Sequence, residues 1–217
     1  MEKNSDKIIL DLCGGTGAWS RPYADAGYDV RVITLPTYDV REVFYRGTGD
    51  LVFPSNQSGK FTTAKVSKIY GILAAPPCTM FSLARTKAKK PRDLREGMET
   101  VIACLKIIWE IRYGNKLKFW ALENPMGYLR QFLGNPIYTF DPSQFGDSYN
   151  KTTDLWGYFQ PPRRKKKKGY FDETKDNTRK LPEIPEEYKK DHKMTDIQIK
   201  RSITPPRFAQ AFFEANQ

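Results

Sequence analysis

Lys7-Ile-Ile-Leu-Asp-Leu-Cys-Gly-Gly-Thr-Gly17 is the stretch on which the fold turns. Its apolar run, residues 7–12, ends in a glycine-rich turn, and Ala18–Ala26 follows with helical character. Strand, turn and helix in that order open an α/β unit that binds a nucleotide-like ligand. Glycines at 14, 15 and 17 let a ligand approach the backbone. A helix starting there would offer free N–H groups to a carboxylate or phosphate. A dinucleotide would call for Gly-x-Gly-x-x-Gly, which this turn lacks.

Outward from the turn, the alternation continues. Asp29–Ile33 reads as a second strand, and Ile69–Ala75 as a buried strand halted by Pro76-Pro77. Between them, residues 45–68 are rich in Gly, Ser, Thr, Lys and Asn and read as a loop or local hairpin. An amphipathic helix is expected from Asp93, its N-cap, to Tyr113, with Val101, Leu105, Ile108 and Trp109 on one face. Residues 117–122 form a strand that delivers Glu123-Asn124-Pro125, and Met126–Leu133 a short helix. The pattern predicts a mostly parallel, doubly wound α/β sheet. The catalytic domain is expected over residues 1–159, a short basic insert over 160–195, and a returning segment over 196–217 that ends in a helix, Arg207–Asn216.

Bulk composition narrows the partners. The 217 residues carry 36 Lys and Arg against 25 Asp and Glu, a net charge of +11, and the pI is near 9.5. Such an excess suits a polyanion, because cations that neutralise phosphates release condensed counterions. Mean hydropathy is −0.63, and no run of about 18 apolar residues exists to span a membrane. No apolar segment of signal-peptide type opens the chain, so a cytoplasmic location is expected. Three cysteines, Cys13, Cys78 and Cys104, and the single His192 form no zinc-ligand spacing and no disulfide framework. No metal is expected.

Two further clusters carry chemistry. In Ala75-Pro76-Pro77-Cys78-Thr79-Met80-Phe81-Ser82, a cysteine lies just past a buried strand, where α/β proteins place their ligands. Two prolines stiffen its approach. In Ala121-Leu122-Glu123-Asn124-Pro125, an acid emerges from an apolar strand. Burial there would disfavour its charged form and suit it to donate a proton.

Taken together and in this order, these clusters resemble the DNA cytosine-5 methyltransferase family. The resemblance spans most of the chain apart from 160–195. The glycine turn after Asp11 is similar to the family's cofactor motif, Pro77-Cys78 with Phe81-Ser82 to its nucleophile motif Pro-Cys-Gln-x-Phe-Ser, and Glu123-Asn124 to its Glu-Asn pair. Ser202-Ile-Thr-Pro-Pro206 looks like its last motif, Gly-Asn-x-Val-Pro-Pro. Departures are Thr79 in place of Gln, Pro125 where many members have Val, and Arg201-Ser202 in place of Gly-Asn. Gly146–Thr153 stands where the family has Gln-x-Arg-x-Arg, with Lys151 and Thr153 at the arginine places. No acid follows the second strand directly, since Thr34-Leu35-Pro36 lies there, and Asp39 is assigned an adenine-side role.

The resemblance implies an α/β fold of the Rossmann-like S-adenosylmethionine-dependent type. The cofactor would be S-adenosyl-L-methionine, held by Asp11, Cys13, Gly14, Gly15, Thr16, Gly17, Trp19, Asp39, Pro76, Ser202 and Thr204. Cys78 would attack carbon 6 of a cytosine flipped from duplex DNA. Glu123 would protonate or hydrogen-bond N3, Asn124 would hold the strand end to the Cys78 loop, and Lys151 would contact the base oxygen or a phosphate. Ser82, Arg85, Lys87, Lys89 and Lys90 would clasp DNA from the loop after the nucleophile. Arg163, Arg164, Lys165 and Lys166 would do so from the insert, setting affinity more than sequence preference. A role in restriction–modification follows by analogy only. Two other readings stay open at this point: cytosine-5 methylation of RNA or a free nucleotide, and an inactive DNA-binding partner that retains the fold.

Overall fold

A computed structural model of the chain describes residues 3–47, 49–85, 88–114, 117–165, 181–186 and 195–217. Its frame is a six-stranded mixed sheet built from β1 (Ile8–Leu12), β2 (Asp29–Ile33), β6 (Ile69–Ala74), β7 (Phe119–Pro125), β8 (Tyr138–Phe140) and β9 (Thr153–Tyr158). The strand order is β2-β1-β6-β7-β9-β8. The first four strands run parallel, and β9 is antiparallel to both of its neighbours. The sheet is therefore mostly parallel rather than uniformly so.

Both faces of the sheet are covered, and alternation along β1 shows why. Ile8, Leu10 and Leu12 join a cluster with Val101, Cys104, Ile107, Ile108 and Ile111 of α2 (Leu94–Gly114). Ile9 joins the opposite cluster with Trp19, Tyr23, Phe208 and Phe212, the last two from α5 (Pro206–Ala215). Successive strand residues point to opposite faces, so a strand buried along its whole length is covered on both sides. Asp93 caps α2 as expected, accepting from the Glu96 N–H at 2.9 Å. The buried stripe of α2 differs from the expected one: Val101, Cys104, Ile108 and Ile111 follow the i, i+3, i+7 rule, and Trp109, one residue out of phase with Ile108, is 61% exposed.

Two expected elements are corrected. The helix awaited over Ala18–Ala26 is confined to α1 (Arg21–Asp25), because the glycine turn continues as successive turns to residue 20. The first helical residue is Arg21, so a helix N-terminus does not follow the glycines directly. Residues 45–68 hold more than a loop or hairpin: β3 (Phe44–Arg46), β4 (Asp50–Pro54) and β5 (Phe61–Lys65) form a three-stranded antiparallel sheet. Leu51, Phe53 and Ala64 anchor it against the α2 cluster. Two short helices complete the order, α3 (Arg130–Leu133) and α4 (Asp196–Ser202). Among the described residues, no helix is long and apolar enough to cross a membrane.

Candidate functional site

The chain leaves β1 toward β2 on one side and later returns to β6 on the other. This reversal of strand order opens a crevice at the carboxyl ends of β1 and β6, where open α/β sheets bind ligands. The glycine turn leaves the end of β1, and Pro76-Pro77-Cys78 leaves the end of β6. They are bound together where the Ala75 N–H donates to the Leu12 carbonyl at 2.9 Å.

The turn is built on positive φ angles at Cys13 (58°), Gly15 (55°) and Gly17 (69°). Gly14 is required for another reason. A Cβ there would lie 2.3–2.5 Å from the Asp11 carboxylate, which is fully buried beneath it. Asp11 accepts from Ser20 Oγ at 2.5 Å, and its Oδ1 has no partner. Burial pushes its pKa up to about 7, with the Ser20 hydrogen bonds opposing. Trp19 is buried, its Nε1 unpartnered, against the rings of Phe208 and Phe212. Thr16 is half-buried, and Gly15 N–H donates to Thr34 Oγ1 at 3.3 Å. Asp39 is engaged elsewhere: both its oxygens accept from the Arg41 guanidinium, 2.6 Å at the closest. Ser202 is exposed and donates to the Ile199 carbonyl, while Thr204 is buried at the entry to α5.

Cys78, half-buried, sits on a turn closed by the Phe81 and Ser82 N–H groups, which donate to its carbonyl at 2.9 and 2.8 Å. Burial raises its thiol pKa, Lys151 draws it down and Glu123 raises it again. Lys151 Nζ lies 3.6 Å from Glu123 Oε1, both side chains largely buried. Asn124, fully buried, donates through Nδ2 to the Pro76 carbonyl at 2.9 Å. The thiol, the acid, the amide and the ammonium thus converge from the β6 loop, β7 and the loop before β9. Thr153 does not join them: it is buried and donates to the Lys151 carbonyl at 2.7 Å.

Arg92 is a positioning group that the sequence reading passed over. Its guanidinium donates to the carbonyls of Met80 and Ser82, each at 2.9 Å, and covers the Tyr128 ring at 4.9 Å. From the other side, Ser82 bridges Gly127, and the Tyr128 N–H donates to the Phe81 carbonyl. The Cys78 loop is held on both flanks.

The basic candidates divide. Arg85 turns inward, donating to the carbonyls of Lys90 and Pro91 at 3.0 and 3.1 Å. Lys89 and Lys90 are exposed. Arg164 is docked on β8, donating to Tyr138 Oη and the Thr139 carbonyl, whereas Arg163 and Lys165 project as exposed cations. Lys87 and Lys166, with most of the insert 160–195, lie outside the described residues. Among the described residues, no cluster of three or more His, Cys, Asp or Glu could hold a metal ion. No family model matches the chain, and no curated protein matches it.

Proposed function

We propose that the protein is an S-adenosyl-L-methionine-dependent DNA methyltransferase acting at carbon 5 of cytosine, on a Rossmann-like methyltransferase fold. The observation that carries this reading is the convergence of Cys78, Glu123, Asn124 and Lys151 beside the glycine turn at the switch point. A cysteine nucleophile with a neighbouring acid and cation is what addition to an electron-poor pyrimidine ring requires.

The turn suits the cofactor: Cys13, Gly15 and Gly17 turn it sharply through positive φ angles, and Asp11 Oδ1 and Trp19 Nε1 are buried polar atoms with no protein partner. Asp11, Cys13–Gly17 and Trp19 would hold it, through the turn itself rather than a helix N-terminus. When bound, it would supply an electrophilic methyl group.

In this reading the Cys78 thiolate forms a bond to carbon 6, and the ring electrons shift toward carbon 5 and N3. Glu123 donates a hydrogen bond or proton at N3, where negative charge develops. Lys151 lowers the cost of the thiolate and is placed to meet the base oxygen or a phosphate. After methyl transfer, a solvent base takes the carbon 5 proton, the electron pair of that bond returns to the ring and expels Cys78 as thiolate, and a proton given to N3 returns to Glu123. A paired cytosine cannot reach this thiol, so the base must be flipped out, at a cost of a few kcal/mol. The exposed cations Lys89, Lys90, Arg163 and Lys165 support a polyanionic substrate.

The test is covalent trapping. The protein is incubated with S-adenosyl-L-methionine and duplex DNA containing 5-fluorocytosine, and adducts are sought by mass. Fluorine at carbon 5 cannot leave as a proton would, so the Cys78–carbon 6 bond should persist. Cofactor binding without an adduct on DNA would exclude the duplex substrate.

A further inference from the structure

Cys13 and Cys104 are 91 residues apart in the chain, and the fold brings their sulfurs to 4.0 Å. Cys13 opens the glycine turn at φ 58°, with its N–H donating to the Ile33 carbonyl at 2.7 Å. A residue with a Cβ adopts that conformation at a cost, so its surroundings hold it there. Cys104 is fully buried in the stripe of α2, and Cys13 packs half-buried against the same cluster. The contact with Cys13, and after it burial, holds the Cys104 thiol well above its ordinary range, so Cys104 keeps its proton. Cys13 is the more exposed of the two. Cys104 has no part in the proposed chemistry at carbon 6.

We propose that Cys13 and Cys104 are a dithiol site that a peroxide closes to a disulfide, and that the bridge pulls the glycine turn out of its cofactor-holding shape. The effect on the cofactor rests on the proposed function; the bridge itself does not. Cys13, as thiolate, attacks one peroxide oxygen; the O–O bond breaks, hydroxide leaves, and Cys13 becomes a sulfenic acid. The Cys104 sulfur then attacks the Cys13 sulfur. An S–S bond forms, the S–O bond breaks, and the leaving hydroxide takes the Cys104 proton to become water. Two thiols are oxidised, one peroxide is reduced, and two waters result. The new bond roughly halves the separation of the sulfurs. Cys104 sits in a close-packed helix face, so the movement falls on Cys13 and, through it, on Gly14, which is packed on the Asp11 carboxylate.

The folded, reduced protein is treated with hydrogen peroxide at neutral pH, its remaining thiols are blocked, and it is digested without reductant for mass spectrometry. The expected product is a linked Cys13–Cys104 peptide, lighter by two hydrogens than its thiol parts, with Cys78 outside the bridge. In Cys104→Ala the same treatment should leave Cys13 as a sulfenic acid that dimedone traps. Recovery of Cys13 and Cys104 as thiols, a bridge through Cys78, or a bridge formed only after unfolding in guanidinium would overturn the inference. Calorimetric binding of S-adenosyl-L-methionine then reads the turn, in a Cys78→Ser background so that oxidation of the nucleophile plays no part. The bridged form should bind about tenfold more weakly or worse, the equivalent of one lost hydrogen bond to a charged group, and dithiothreitol should restore the reduced value. Equal binding by both forms would overturn the link between bridge and turn. A bridge in a protein that binds no cofactor in either form would overturn the proposed function and leave the dithiol site standing.

Discussion

The Asn124 side chain reaches from the end of β7 to the carbonyl of Pro76, donating through Nδ2 at 2.9 Å, and is fully buried there. One hydrogen bond therefore ties the strand that carries Glu123 to the segment that carries Cys78. Asn124→Ala leaves a buried carbonyl unpaired, which costs about 1–3 kcal/mol. The expected result is a lower thermal midpoint together with altered alkylation of Cys78. A variant melting with the parent would show that this link is replaceable.

Glu123→Gln keeps the shape of the acid and removes its proton. Under the proposed mechanism, methyl transfer slows by roughly 10²–10⁴-fold, and Cys78→Ser abolishes it. Single-turnover rates with labelled cofactor measure both. Normal turnover by the serine variant would remove Cys78 from the chemistry.

Asp11 predicts an unusual pH dependence of stability. Burial raises its pKa from 3.8 to about 7, so between those values the folded chain holds a proton that the unfolded chain has released. Stability is fully present below about pH 4 and is lost as pH rises through about 7, by at most about 4 kcal/mol. Asp11→Asn should flatten that slope. Urea unfolding at pH 5 and pH 8 reads it directly, and equal slopes for parent and variant would mean that Asp11 does not titrate there.

Much of this was legible in the chain. Asp29–Ile33 occupies its expected residues, and the glycine turn, Pro76-Pro77-Cys78 and Glu123-Asn124 meet at one edge because all three lie at the carboxyl ends of neighbouring parallel strands, the last pair still within β7. What escaped was non-local or weakly patterned. The strands β8 and β9 were not foreseen, and nothing in Thr153–Tyr158 says that it inserts antiparallel between β7 and β8. The short apolar run Leu51-Val52-Phe53 was a usable signal for the small sheet, buried as a unit within β4. Arg92 lay inside a run of cations that reads as solvated, and only tertiary contacts distinguish a guanidinium bound to two carbonyls from one in water.

That distinction gives Arg92 its own prediction. Arg92→Lys preserves charge but loses the planar fork that meets the Met80 and Ser82 carbonyls together. The Cys78 loop should become more accessible to limited proteolysis around residues 83–91, and turnover should fall although the charge is unchanged. Parent-like cleavage and turnover would mean that the contacts from Gly127 and Tyr128 suffice.

The two arginines of the insert should behave differently when DNA binding is measured against salt. Arg163 is exposed, whereas Arg164 is bound to Tyr138 and Thr139 and lies 4.9 Å over the Tyr138 ring. A cation that neutralises a phosphate adds about 0.9 to the slope of log binding constant against log salt on duplex DNA. Arg163→Ala should therefore flatten the slope by about one without changing the thermal midpoint. Arg164→Ala should lower the midpoint and change the slope less, because it unpins the segment from β8. A slope unchanged by Arg163→Ala would place the DNA on another face, with Lys89 and Lys90 beside the Cys78 loop the next cations to neutralise.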